Sequence, residues 1–359
     1  MEILSPRFIQ IVLYVALVVF AASFVLLAVI TIERWFKQRR RKKNAAFERE
    51  ALPVLRAFSE GRAKEEAVIK VLLKNRSEAM NILILFAHGM EPELRPKLAP
   101  IFEKLVVLGE EVLAIEQGQV KRRLMAAERL GFLSNDASAA ALVKALDDEA
   151  PVVRLCAARS LSIQGRTDAI KPILRALDLP AELDHRREVE TLSGYGESAV
   201  PALLSVIESS RRKYSSNAIV AASRALGMLK AEEAVQPLIK LLQHPRDGVR
   251  LCAARALGDI GDPVAISPVA ALADDPSWRV RRRAVKAMGK LNADEQVPKL
   301  SEALGDSSWW VRFAAAQALY SFGSSGISEL ERVQRTSSDK NARGICSEVL
   351  EEHAVLDTN

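Results

Sequence analysis

Aromatic residues are scarce in this chain. Phe, Trp and Tyr make up 5% of its 359 residues, although 49% are hydrophobic. That balance suits an alanine- and leucine-rich helical array better than a β-sandwich, and the length is ample for a sizeable folded body. Cysteine is scarcer still. Cys156, Cys252 and Cys346 form an odd set without a short CxxC spacing, and they read as reduced, buried thiols in a cytosolic setting. The four histidines, His88, His185, His244 and His353, are scattered, with neither HExxH nor a His/Cys ligand spacing, so no metal is expected. Also missing are the phosphate-binding GxxxxGK run, the dinucleotide GxGxxG and the GxSxG nucleophile elbow. Acid pairs such as Asp147-Asp148, Asp274-Asp275 and Glu351-Glu352 fall at helix ends or turns, where solvation and capping account for them. No catalytic residue and no cofactor are assigned, and the chain is expected not to be an enzyme.

A basic surplus is present, but it is confined to one place. The chain holds 51 Lys and Arg against 45 Asp and Glu, a net +6. Residues 33–43, ERWFKQRRRKK, carry that whole excess, with Arg34, Lys37, Arg39, Arg40, Arg41, Lys42 and Lys43 against Glu33. The remainder is neutral, so net charge gives no reason to expect a nucleic-acid partner.

Immediately before that run lies Phe8 to Ile32, FIQIVLYVALVVFAASFVLLAVITI, without a charge. At about 1.5 Å per residue a helix of this length covers the roughly 30 Å of a hydrocarbon core with some tilt. It is longer than a signal-peptide core and has no convincing cleavage site, so it predicts a retained transmembrane helix. The basic run then predicts, by the positive-inside rule, a single-pass inner-membrane protein. Residues 1–7 would lie outside, 8–32 within the bilayer, 33–43 against the lipid headgroups and the rest in the cytoplasm. Residues 44–120 read as a divergent helical cap. ALPVLRAFSEGRAKEEAVIKVLLKN gives two helices around Gly61, RSEAMNIL starts another at Arg76, and longer hydrophobic helices follow from Pro92 to Gly118.

Beyond residue 120 one string organises the chain. RLCAARALGDIGD, from Arg250, returns as RLCAARSLSIQG from Arg154, RRRAVKAMGKLN from Arg281 and RFAAAQALYSFG from Arg312, with weaker copies at Arg123, Ile219 and Arg343. The step is 31 residues, except that Arg154 to Ile219 must hold two units. Such a period marks a stacked repeat array. Small residues three and four after the anchor and an aliphatic seven after it (Ala253, Ala254, Leu257) form one helix face. Gly258 or Gly261 is expected to end that helix, and Asp262-Pro263 to start a second one with Ile266, Val269 and Leu272 on one side. Each hairpin has more apolar face than it can bury alone. Side-by-side stacking buries it, giving an all-α fold, an α-solenoid over residues 121–350 with a tail at 351–359 that frays.

These units resemble HEAT repeats, of the short kind also found in the phycobilisome-lyase HEAT-like group. The likeness rests on the small-residue helix, the proline in the other helix (Pro172, Pro237, Pro268, Pro298) and an acidic residue six before the anchor arginine. The last feature appears as Asp148 with Arg154, Asp275 with Arg281 and Asp306 with Arg312. The resemblance implies that these pairs link neighbouring repeats as a ladder, broken locally by His244 and by Ile219 in place of arginine. It also implies that the anchor helix lines a groove. Residues five after each anchor then form a column whose middle, Arg159, Arg224, Arg255 and Lys286, is basic and suits an acidic partner segment. Two other surfaces are candidates for partner contact: the loop Arg211, Arg212, Lys213 and Tyr214, and the turn tryptophans Trp278, Trp309 and Trp310. The expected function is a membrane-anchored scaffold that binds a protein partner and assembles or regulates a membrane complex. The alternatives are a HEAT-like lyase or chromophore-handling enzyme and, third, a nucleic-acid-binding solenoid.

Overall fold

The computed structural model describes residues 6–133, 135–176, 186–209 and 214–356, and every regular element among them is helical. They form two compact units that divide between Val107 and Leu108.

In the first unit, α1 (Pro6–Ser59) is one helix of 54 residues. The apolar stretch, the basic run and the start of the cap therefore form one continuous element. Among its described side chains, those that enter a core lie in its C-terminal part. Phe47, Ala51 and Leu55, spaced four apart on one face, are buried where α1 meets α2 (Glu65–Leu72) and α3 (Arg76–His88). Gly61, at φ +76°, makes the expected turn between α1 and α2. Upstream of Phe47, the large apolar side chains Phe20, Phe24, Leu26 and Leu27 are exposed. Among the described residues no helix is long and apolar enough to cross a membrane. The expected span at 8–32 falls mostly on side chains outside the described ones, as do Lys37 and Arg40. The long helices expected after Pro92 are short: a 3-10 stretch (Pro92–Leu98), then α4 (Ala99–Leu105). Prolines at 92, 96 and 100 remove the amide donors a longer helix would need.

The second unit is the repeat array, in two layers. One layer is a continuous row of neighbours: α5 (Leu108–Gln117), α6 (Val120–Leu130), α8 (Pro151–Ile163), α10 (Arg186–Ser193), α12 (Ser216–Met228), α14 (Asp247–Ile260), α16 (Trp278–Lys290), α18 (Trp309–Ser321) and α20 (Lys340–Leu356). The other holds α7 (Asp136–Ala145), α9 (Ile170–Ala176), α11 (Val200–Glu208), α13 (Val235–Leu241), α15 (Ile266–Ala270), α17 (Val297–Ala303) and α19 (Ser324–Thr336). α10 and α11 supply the extra unit that the doubled interval between Arg154 and Ile219 requires. Most helices of the second layer are short and enter through a 3-10 turn. Asp262 caps one such turn by accepting the Val264 N–H at 2.9 Å, and Pro268 and Pro298 sit in first turns, where a missing N–H costs little.

Two details depart from expectation. Gly258 lies inside α14 and does not end it; Gly261, at φ +88°, is the left-handed C-cap. Gly258 instead lets α16 approach: a Cβ there would stand 3.0 Å from Ala287 Cα, and one at Gly227 would stand 2.8 Å from Ala256 Cα. The tail does not fray at residue 351 either. α20 continues to Leu356, and His353 stacks on Tyr320 of α18 with ring centroids 3.9 Å apart.

The ladder is present, with a different partner for each carboxylate. Arg123 Nε donates to Asp148 at 2.7 Å, Arg250 Nε to Asp275 at 2.7 Å and Arg281 Nε to Asp306 at 2.6 Å. Each aspartate thus pairs with the arginine 25 residues before it, one repeat back. The arginine six residues after it reaches the aspartate's main chain: Arg154, Arg281 and Arg312 donate Nη1 to the carbonyls of Asp148, Asp275 and Asp306 at 2.9, 3.0 and 2.8 Å. Geometry explains the correction, because the arginine in the first turn overlies its own inter-helix loop while the carboxylate projects to the preceding helix. The aspartate also accepts the N–H two residues on, from Ala150, Ser277 and Ser308. Ile219 and His244 are themselves 25 residues apart, so both members of one rung are replaced together. At the last step Ser337 stands where the aspartate would be, and the buried Nε of Arg312 has no partner.

Candidate functional site

Helices α12, α14 and α16 each bury an alanine-rich face in the stack and project the next positions away from it. Arg224, Arg255 and Lys286 occupy the same register on these three neighbours and are partly exposed; Arg159, further back on α8, is exposed. Arg283, one turn before Lys286, was not picked out from the sequence although the run RVRRRAVK contains it. The cations converge: Arg224, Arg255 and Arg283 all act electrostatically on the buried Cys252 thiol, whose pKa is nonetheless raised because burial dominates. Burial, with Arg255 and Arg282 nearby, lowers the Arg283 guanidinium. Burial, with Arg282, Arg283 and Lys290 nearby, lowers the Lys286 ammonium.

Little negative charge offsets this cluster. Asp259 is shared between Arg255, at 3.5 Å, and Lys290. Among the described residues no carboxylate lies within ion-pair distance of Arg224, Arg283 or Lys286. That contrasts with the ladder arginines Arg123, Arg250 and Arg281, each of which has its aspartate. The basic column is also short. The equivalent positions beyond it are Glu190 on α10 and Gln317 on α18, and the ends of the array carry Glu128 and Glu348.

The tryptophans begin helices instead of lying in turns: α16 starts at Trp278 and α18 at Trp309. They are 38%, 41% and 49% exposed for Trp278, Trp309 and Trp310. Trp309 stacks on Phe313 with centroids 5.0 Å apart and meets Trp310 edge-on at 4.9 Å. Arg282 lies over Trp310 at 5.2 Å and Arg279 over Trp278 at 5.8 Å, so aromatic and cationic groups form one continuous surface on α16 and α18.

The loop candidate divides. Arg211, Arg212 and Lys213 lie outside the described residues. Tyr214 is buried at 6% exposure, which makes it a packing residue and withdraws it from partner contact. At the altered rung, Ile219 and His244 line a cleft of about 360 Å³ with Pro237, Lys240 and Leu241. On α1, Arg34, Arg39, Arg41, Lys42 and Lys43 are exposed, with Arg39 over Trp35 at 5.2 Å.

No curated protein matches the chain. Among solved structures it is similar to the CpcE–CpcF complex of phycocyanin lyase from Nostoc sp. PCC7120, at 24% identity over 43% of this chain and 98% of that one, with a TM-score of 0.34. It is also similar to importin beta, at 15% identity over 84% of this chain and 47% of that one, with a TM-score of 0.45. A third is YibA of E. coli, at 16% identity over 71% and 94%, with a TM-score of 0.42. The sequence profile of HEAT repeats matches residues 113–193, 200–277 and 267–351. With most of its length so matched and its helices stacked as paired layers, the chain belongs to the HEAT-repeat family.

Proposed function

We propose that this protein is a membrane-tethered scaffold: α1 fixes it to the inner membrane and the HEAT array, on the cytoplasmic side, holds a protein partner, so that it assembles or regulates a membrane complex. The observation that carries the reading is the presence of α1 and a HEAT array in one chain. α1 runs unbroken from an uncharged stretch, whose described large side chains are exposed, through seven basic residues into a folded unit. Exposed Phe20, Phe24, Leu26 and Leu27 need an apolar surrounding, and Arg and Lys beyond them favour an anionic headgroup layer by about 1 kcal/mol each. The array then offers unmatched cations and exposed rings, which bind by complementarity and perform no bond chemistry. Tethering raises the effective concentration of the array near membrane partners.

The test has two arms. Full-length protein is expected to stay in the membrane pellet through alkaline carbonate extraction, and a form lacking residues 1–32 to leave it. Cross-linking in native membranes, followed by affinity purification and mass spectrometry, is expected to recover a discrete membrane protein. A full-length chain released by carbonate sinks the anchor. Recovery of a bound pigment or turnover of a small molecule, with no protein partner, sinks the scaffold.

A further inference from the structure

We infer that the column on α12, α14 and α16 receives a short acidic segment of the partner in polyproline II conformation, with carboxylates at every third residue. This rests on the scaffold reading and narrows it from a partner to a kind of sequence.

Spacing carries the argument. Arg224, Arg255 and Lys286 hold one register on successive helices, so they repeat at the distance between those helices. Glycine at 227 and 258, against alanine at 256 and 287, allows close approach, and packed helices lie about 8 to 10 Å apart. A polyproline II chain has three residues per turn and a rise of 3.1 Å, which puts every third side chain on one face about 9 Å apart. A β-extended chain repeats a face at about 7 Å and an α-helix at about 5 to 6 Å. Neither stays in step with three helices. The three cations therefore match carboxylates at positions i, i+3 and i+6.

Charge and surroundings point the same way. The flanking Glu190 is acidic and Gln317 uncharged, so the basic stretch spans three helices and fits a motif of about seven residues. A long polyanion such as a nucleic acid would meet acidic Glu348 at one end. Arg283 and Lys286 are only partly exposed, which a single inserted carboxylate can reach and a flat bilayer surface cannot. Trp278 and Trp310 lie on one side of the column, about two turns toward the helix N-termini. Exposed tryptophans are the surface on which proline rings pack, and proline holds the required conformation before binding.

Full-length protein in mild detergent would be titrated against a fluorescein-labelled peptide, Glu-Pro-Pro-Glu-Pro-Pro-Glu, by fluorescence anisotropy. An isomer of the same composition with its three glutamates adjacent serves as control. The spaced peptide should bind about tenfold more tightly than the clustered one, the size of one or two well-placed charge pairs. Arg224→Gln and Lys286→Gln should each weaken it about fivefold, by loss of one pair, with unchanged circular dichroism and melting. Raising salt to 1 M, where screening falls to about 3 Å, should remove most of the difference. Equal binding of the two isomers, no binding, or full binding by both variants overturns the assignment. So does occupation of the column by phosphatidylserine vesicles, read as vesicle binding lost in the two variants. A membrane partner recovered equally with wild type and the double variant would sink this inference and leave the scaffold standing. Peptide binding without any recovered partner would do the reverse.

Discussion

Glycine is where single residues decide most in this array. A glycine inside a helix ordinarily costs about 1 kcal/mol relative to alanine, yet α12, α14 and α16 each carry one near the same position. Its value lies in the next helix, since the space a Cβ would take is already filled by Ala256, Ala287 and Ala318. Gly227→Ala and Gly258→Ala should therefore destabilise by roughly 1 to 3 kcal/mol, the usual cost of overpacking. Gly289→Ala, whose Cβ would lie 3.2 Å from Ala318 Cβ, should lose less. Gly248→Ala is the control: it sits in the same helix as Gly258 with nothing within 4 Å, so it should be neutral or slightly stabilising. Urea denaturation of the four variants checks the order, and a loss at Gly248 equal to that at Gly258 would remove close approach as the cause. From sequence, Gly258 looks like a helix stop because terminators and close-packing glycines are the same residue. The one with positive φ, Gly261, is identified only by the backbone. The sequence makes Tyr214 a contact candidate because its neighbours are charged and polar, while its own side chain is buried by the fold.

Between elements, the ladder turns stacking into a defined register. Each Arg–Asp rung is bidentate and its aspartate also caps a turn, so one carboxylate fixes two helices. Burial pulls the Asp306 carboxyl upward, but the Arg281 and Ser308 hydrogen bonds outweigh it and hold its pKa below the ordinary value. A carboxyl with a depressed folded pKa contributes stability above its unfolded pKa, about 4, and that contribution is lost as pH falls through the folded value. Asp306→Asn should thus lower the melting temperature at pH 7 and flatten its dependence on pH below about 4. An unchanged acid limb would show that this rung does not govern acid unfolding. The end of the ladder offers the opposite change. Ser337 already accepts the Asp339 N–H and its carbonyl holds Arg343, as the aspartates do, but it gives Arg312 Nε no partner. Ser337→Asp should add a rung and stabilise by about 1 to 2 kcal/mol, as a charge-assisted hydrogen bond does. No gain in urea midpoint, with Arg312→Gln equally harmless in both backgrounds, would refute the repair. The residue types and the six-residue interval of this device are legible in sequence. The partner 25 residues away is not, because it exists only once helices stack.

At the level of the whole chain, sequence period and folded unit do not share a boundary. The repeat string becomes recognisable at Arg123, so the sequence places the start of the array near residue 121. The compact unit begins at Leu108, because α5 packs on α6 and α7 although it lacks the string. A terminal helix has one neighbour fewer, and the residues that make a repeat recognisable are those facing neighbours; a divergent first helix follows from that position. All described ladder rungs, the basic column and the closing helix α20 lie within 108–359. A fragment of residues 108–359 should therefore fold by itself, with a cooperative melt and helical circular dichroism, and should keep the buried state of Cys252 and Cys346. A fragment starting at residue 121 lacks α5. It leaves α6 without its neighbour and Arg129 without Glu111, its ion-pair partner at 2.7 Å, and losing that packing should cost several kcal/mol at roughly 25 cal/mol per Å² of apolar surface uncovered. The comparison is decisive by thiol labelling and melting together. Equal melting points for the two fragments would show that α5 is an appendage and that the array begins where its repeat string does.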